Sequence, residues 1–458
     1  MFFERIYDTD LAQASYVIGC QGNGEAVVID ARRDTDVYHR IAAENGLKIT
    51  AVTETHVHAD YLSGTRELAA DTGATMYVSG EGGPDWLYDF EATVLTEGGT
   101  ITLGNITLTA LHTPEHLTFL VTDGAFSKDP GYALTGDFVF CGDLGRPDLL
   151  DEAAGGVDTR FIGAKQMFAS LRDKFLTLPD HVQVHPAHGA GSACGKALGA
   201  VPSSTVGYER LNAWWGKYLE ADDEEGFVAE LLEGQPDAPA YFGRMKRQNL
   251  AGPAVLGERK PLQELDVDQV AASLDAHEVT FVDTRAQSEV HRGTVTGSVN
   301  IPAIKSMATY GAWAIDPERD GRPLVLLAEG PEAARTMWDH LIRVGIDDVS
   351  GYVTSIEGLP RHTPKLVQPG EIADFDKALL LDVRAKSEHE DGHVPGSEQL
   401  HGGRVLWNLE KLPTSGTIVT YCQSGVRSSV VASTLRHAGY DVVELEGSYA
   451  AWAEQHAR

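Results

Sequence analysis

The stretch THVHADYLSG, Thr55 to Gly64, sets two histidines and an aspartate at alternate positions, a spacing that suits a metal site. Further donors fall where β-branched runs end: His112 and His116 in LHTPEH, Asp137 in ALTGD, His185 and His188 in VQVHPAH. A single histidine in such a place is ordinarily a hydrogen-bonded loop or core residue. Imidazoles and carboxylates at several strand ends together make a donor set for a divalent transition metal. A second chemistry lies near the end of the sequence, in TIVTYCQSGVRSSVV, which reads as a strand, a tight loop and a helix with Cys422 at the strand end. A thiolate there would face loop amides and the positive end of a helix dipole, with Arg427 nearby, and these favour the anion and a bound persulfide. Taken alone, CxxGxR describes a phosphatase loop equally well.

The elements that must position these groups are strands in alternation with turns and helices. SYVIGCQGNGEAVVID reads as a hairpin, and ITAVTETHVHAD as a buried strand delivering polar residues at its end. ATMYVSG, TITLGNITLTALHTPEH, LTFLVTDG and YALTGDFVF continue the pattern, RFIGAKQMFASLRDKF is helical, and VQVHPAH is a last strand. Loops at one end of a rigid sheet converge, so ligands at strand ends can meet. From about 205 to 253 the chain is helix-like, and NLAGPAVLGERKP reads as a linker. Beyond it FVDTRAQSEVHRGTVTGSVN matches LLDVRAKSEHEDGHVPGSEQ at an offset of 99, a repeat of one α/β unit of roughly 90 to 100 residues.

The 458 residues carry 37 basic and 67 acidic side chains, a net charge of −30, which disfavours nucleic acid and anionic membrane surfaces as partners. No run of 18 apolar residues and no basic-then-apolar leader is present, so a cytoplasmic protein without a membrane span is expected. Four cysteines are too few for a disulfide scaffold and fit free thiols.

HxHxD, TPEH, LTGD and HPAH, in that order, resemble the metallo-β-lactamase superfamily over about residues 1 to 250, which implies an αββα sandwich with the metal at one sheet edge. Binuclear zinc members of that superfamily complete their second half-site with a histidine directly after the motif's aspartate. Tyr61 stands there, and a phenol, largely protonated at neutral pH, is a poor substitute. TPEHLTFLV and ALTGDFVFCGDLGRPDLL resemble the persulfide dioxygenase branch, which uses one ferrous ion. That resemblance implies one Fe(II) per chain on His56, His116 and Asp137, with His58, Asp60, His188 and Tyr61 around them. Two neutral imidazoles and one carboxylate leave open positions suited to a persulfide anion and O2. Arg146 and Asp148 of GRPD either pair structurally or meet the anionic substrate. Cys194 and Cys20 are either buried small hydrophobes or thiols that carry persulfide sulfur.

Around Cys422, LLDVRAKSEHEDGHVPGS resembles the rhodanese-homology pattern, which decides against the phosphatase. The repeat makes the likeness twofold, but at offset 94 the partners of Cys422 and Arg427 are Ala328 and Ala333. The first copy is therefore expected to be inactive and the second to use Cys422 and Arg427. The fold class is α/β: a metallo-β-lactamase-like αββα sandwich at 1–253, an inactive rhodanese-like domain at 260–365 and a catalytic rhodanese domain at 368–458. The expected activity is oxidation of a small-molecule thiol persulfide by O2 to sulfite, coupled to sulfur transfer through Cys422 giving thiosulfate. The alternative is a zinc-dependent thioester hydrolase of the glyoxalase II type fused to a sulfurtransferase. The carrier thiol is left open, and a homo-oligomer is allowed.

Overall fold

In the strand Gln13–Cys20 every residue is buried, because alternate side chains serve two different cores. Ala14, Tyr16 and Ile18 face one apolar layer, while Val17 faces another. A computed structural model of the chain describes residues 1–83, 86–114, 116–153, 159–375 and 377–456. These divide into two compact units, 1–238 with 242–258, and 239–241 with 259–458.

The first unit holds two six-stranded sheets. One runs Phe2–Asp8, Gln13–Cys20, Glu25–Ile29, Lys48–Thr53, Thr75–Ser79, Thr93–Leu95, antiparallel at first and parallel from the third strand on. The other runs Thr100–Leu103, Ile106–Thr113, His116–Asp123, Tyr132–Gly136, Gln183–Pro186, Ser204–Thr205. Its first four strands form an antiparallel meander, and Gln183–Pro186 joins it parallel. The inner faces meet in a core that includes Tyr16, Ile29, Leu108, Phe119 and Leu134. Outside the first sheet, helices Asp36–Glu44 and Thr65–Thr72 cover Val28 and Val52 through Tyr38, Ile41 and Leu68. Outside the second, Thr159–Asp173 and Glu224–Leu232 cover Ala133 and Val184 together with the buried Trp215. The layers are thus helix, sheet, sheet, helix, as the superfamily resemblance implies.

Two backbone links close the edge where the histidines gather. Leu117 N–H donates to Thr55 O at 2.6 Å, and Ala14 N–H donates to Ala187 O at 2.6 Å. Each ties a strand of one sheet to a strand end of the other.

The second unit repeats one parallel sheet. Its first copy orders the strands Val299–Asn300, Thr280–Asp283, Leu324–Leu327, Val349–Val353. The second orders Glu398–Gln399, Leu379–Asp382, Thr417–Tyr421, Asp441–Leu445, with Lys365–Val367 added at the far edge. The sequence repeat is therefore also a repeat of topology. Among the described residues, no helix is long and apolar enough to cross a membrane.

Phe119 is fully buried between the two sheets whereas Phe126 is 92% exposed. Phe119→Ala is expected to cost about 3–5 kcal/mol of stability in urea denaturation, and Phe126→Ala less than about 0.5 kcal/mol.

Candidate metal centre and cysteine loop

His56 follows the strand Lys48–Thr53, His116 opens His116–Asp123, Asp137 follows Tyr132–Gly136 and His188 follows Gln183–Pro186. Backbone bridges pair His56 with His116 and Gln13 with His188, so the two sheets bring four separate strand ends to one edge. The imidazole centroids of His56 and His116 are 4.6 Å apart, and His56 Nε2 lies 3.6 Å from Asp137 Oδ2.

The partners of these groups decide which atoms could hold a metal. His116 Nδ1 faces the Pro114 carbonyl at 2.6 Å, an acceptor, so Nδ1 carries the proton and Nε2 the lone pair. Thr55 Oγ1 donates to Asp30 Oδ2 at 2.9 Å and is therefore free to accept from His56 Nδ1 at 2.8 Å, which again leaves Nε2 as the donor atom. Burial holds both imidazoles below the usual histidine range, in the neutral form that ligation needs. Burial would raise Asp137, but the positive charge of His188 against it outweighs this and keeps the carboxylate ionised. Asp137 Oδ1 accepts from His188 Nδ1 at 2.6 Å, and its Oδ2 is the oxygen on the His56 side. Two Nε2 lone pairs and one carboxylate oxygen fit a single divalent ion, one held by imidazole and carboxylate in the manner of non-haem iron or zinc.

Asp60, His188 and Cys194 also lie close enough to share an ion, with candidate atoms within 4.8 Å of one another. Their bonding argues otherwise. His188 Nε2 meets Asp60 Oδ2 at 2.9 Å while its Nδ1 meets Asp137, so both nitrogens carry protons and neither has a lone pair to give. Burial pushes the Cys194 thiol up to about 11, into its neutral form. Among the described residues, His58 Nδ1 and Asp60 Oδ1, both buried beside this network, have no hydrogen-bond partner.

Tyr61 is fully buried and its ring lies 4.5 Å from that of His58. Its hydroxyl donates to Asp30 O at 3.1 Å and accepts from Gln13 Nε2 at 3.2 Å, so it braces the backbone of Asp30.

Asp30 itself escaped the sequence reading. It ends the run EAVVID, bonds Thr55 twice and meets His58 Nε2 at 3.1 Å. The available signal was an aspartate directly after a buried apolar strand. Asn249 is the other omission: its amide donates to the carbonyls of His58 and Tyr61 at 2.8 and 2.7 Å and accepts from Ser63 N–H at 2.9 Å.

A cavity of about 60 Å³ opens on His56, His116 and Asp137, walled by Trp86, Met167 and Phe242. Arg146 lines it, yet its guanidinium is already occupied. Nε and Nη2 hold Asp148 at 2.9 and 2.6 Å, and Nη1 donates to the carbonyls of Ala193 and Pro236. Cys194 is on the same wall, whereas Cys20 ends the strand whose first residue, Gln13, pairs with His188. Eight extended residues put Cys20 roughly 24 Å from that edge. His112 and His185 do not line that cavity: Lys174 Nζ donates to the carbonyl of His112, and the ring of His185 packs 4.7 Å from Phe3.

Cys422 follows the strand Thr417–Tyr421 and precedes the helix Val426–His437. Gly425 N–H points at its Sγ from 3.1 Å, and Gln423 and Ser424 are exposed above it. Arg427 donates to both carboxylate oxygens of Glu388 at 2.6 and 2.8 Å. In the first copy Ala328 and Ala333 line an open recess of about 900 Å³. Arg285 grips Asp283 and the Gly293 carbonyl much as Arg384 grips Asp382 and Gly392. The clamp is thus common to both copies although Ala328 stands where the second has Cys422.

The chain matches the Metallo-beta-lactamase superfamily over residues 8–188 and the Rhodanese-like domain family over residues 370–455. A metallo-beta-lactamase of Staphylococcus aureus, known from its crystal structure, is 36% identical with a TM-score of 0.66 and spans 77% of this chain and 98% of its own. The mitochondrial persulfide dioxygenase ETHE1 of Mus musculus is 28% identical over 41% of this chain and 68% of its own length. A sulfurtransferase of Allochromatium vinosum is 34% identical over 18% of this chain and 78% of its own.

The Arg146–Asp148 pair is almost fully buried, with side chains 1% and 10% exposed. Asp148→Ala leaves that guanidinium without its carboxylate, and chemical denaturation should record a loss of about 3 kcal/mol. A loss below about 0.5 kcal/mol would return Arg146 to the role of a substrate contact.

Proposed function

Because the chain belongs to the metallo-β-lactamase superfamily and carries a rhodanese-like domain behind it, we propose that it is a persulfide dioxygenase joined to a sulfurtransferase. The observation that carries this reading is the asymmetry of the donor set. His56 and His116 offer lone pairs beside Asp137, while the second half-site has Tyr61 turned to Asp30 and His188 protonated on both nitrogens. Such a set serves one ion, and a ferrous ion there would supply open positions for persulfide sulfur and O2. The likeness to the mouse persulfide dioxygenase supports the same choice.

The residues around the ion divide the remaining work. Asp30, through Thr55, fixes the tautomer and tilt of His56, and the Pro114 carbonyl does so for His116. Protonated His188 balances the carboxylates of Asp60 and Asp137. The cavity of about 60 Å³ has space for a few water-sized groups, so the two sulfurs of a persulfide enter and the carrier stays outside it. The balanced reaction is RSSH + O2 + H2O → RSH + H2SO3.

In the second activity the Cys422 thiolate, held by Gly425 N–H, attacks the sulfane sulfur of a second RSSH; the S–S bond of that donor breaks, the thiol RSH leaves and Cys422 becomes the persulfide. Sulfite attacks the outer sulfur, the S–S bond breaks, and thiosulfate leaves with the Cys422 thiolate restored. Ala328 offers no nucleophile, which favours the second copy as the place of this chemistry. Joining the sites in one chain raises the concentration of sulfite near its acceptor.

Purified protein is expected to hold about one iron per chain by elemental analysis and to consume O2 on addition of a defined persulfide; His116→Ala should lose both. Two tightly bound zinc ions with thioester hydrolysis and no O2 uptake would overturn the reading. Cys422→Ser should abolish thiosulfate-to-acceptor transfer and, early in the reaction at low persulfide, shift the oxidised product from thiosulfate to sulfite. Equal sulfite-to-thiosulfate ratios in both proteins would show that the two sites share no intermediate.

A further inference from the structure

The loop that carries Cys422 does not stand alone. Within the second unit, the first copy of the repeat sends Gln287, at the start of the short helix Gln287–Val290, to the Ser424 carbonyl, with Nε2 donating at 2.9 Å. The same amide crowds Gly425 so closely that a Cβ there would collide with Nε2, and Gly425 has φ +107°, a conformation only glycine adopts without strain. Ser424 is the amide's single partner among the described residues, for its Oε1 is buried with none. Behind the loop, Asn300 of the first copy accepts from Ser429 Oγ at 3.0 Å and donates its backbone N–H to Ser433 Oγ at 2.7 Å. Both serines lie on the helix whose N-terminus faces Cys422.

The consequence follows from peptide geometry. The carbonyl of Ser424 and the N–H of Gly425 belong to one planar trans peptide and point in opposite directions. Holding the carbonyl toward Gln287 therefore aims the N–H at Cys422 Sγ, where it is found at 3.1 Å. We infer that Gln287 of the cysteine-less copy is a positioning residue for sulfur transfer, orienting the amide that stabilises the Cys422 thiolate and its persulfide. The repeat retains its first copy because that copy completes the active loop of the second. In the repeat itself Gln287 corresponds to Lys386, which pairs with Glu390 at 3.7 Å on an exposed helix face. The inference rests on Cys422 being the sulfur carrier.

The test uses the full chain with thiosulfate as donor and cyanide as acceptor, and separately the rate at which iodoacetamide alkylates Cys422. Gln287→Ala should slow transfer by about five- to tenfold, the equivalent of one lost hydrogen bond. Gln287→Met, which fills the same space without a donor, should be equally slow, and Gln287→Lys, which keeps a donor of similar reach, should recover to within about twofold. Alkylation should slow by a similar factor in the alanine and methionine variants. If Gln287 only packed against the loop, its removal would expose the buried thiol and alkylation would quicken. Wild-type transfer rates in Gln287→Met, or faster alkylation in Gln287→Ala, would overturn the inference. Transfer surviving Cys422→Ser would remove the carrier reading and the inference with it.

Discussion

The metal edge depends on one buried carboxylate, Asp30. It is inaccessible to solvent and sits at φ +55°, a conformation that aspartate tolerates better than most residues but at a cost. Removing a charge from water costs several kcal/mol, and the cost is offset by three donors: Thr55 N–H at 2.7 Å, Thr55 Oγ1 at 2.9 Å and His58 Nε2 at 3.1 Å. Its backbone is held as firmly, with Gln13 and Tyr61 donating to its carbonyl and its own N–H donating to Thr53 O at 3.0 Å. From this point the geometry of His56, His58 and Tyr61 follows. The tyrosine that stands where binuclear members have a histidine thus has a definite occupation, bracing the aspartate that orients the first histidine.

A related economy governs the charges further out. Arg146 could serve an anion, but its fork is filled by Asp148 and two carbonyls, and so it secures the loop that presses on Asp137. In that loop a Cβ on Gly145 would collide with the Asp137 carbonyl, so glycine is required by close approach. Arg427 is likewise bound to Glu388 by both terminal nitrogens and reaches Cys422 through its charge alone, while the Gly425 N–H and the helix end face the Sγ. In both places the arginine's hydrogen bonds go to a neighbouring carboxylate.

The second unit shows what two copies of one fold share although one has Ala328 where the other has Cys422. The aspartate–arginine clamp is preserved in both copies, because it closes the loop after the central strand whatever the loop contains. Asn300 and Gln399, at equivalent positions, both donate to the carbonyl of the clamp arginine, at 3.0 and 2.8 Å. Asn300 additionally accepts from Ser429 of the other copy.

Much of this was legible in the linear chain. The strand ends bearing His56, His116, Asp137 and His188, the repeat, and the contrast of Cys422 with Ala328 are matters of residue type and short spacing, which a sequence states directly. The layered fold followed from the same patterns, since alternating burial along each strand records which faces are covered. What the tertiary structure alone decided are the partnerships across long separations. Asp30 meets His58 across 28 positions, Asn249 meets His58 across 191 and Gln287 meets Ser424 across 137. It likewise decided that Arg146 is spent on its neighbours and that Cys20 lies at the far end of its strand. A side chain's type limits the bonds it can form, but only the packing of sheet on sheet and copy on copy selects which partner is within 3 Å, and that selection separates a ligand from a brace.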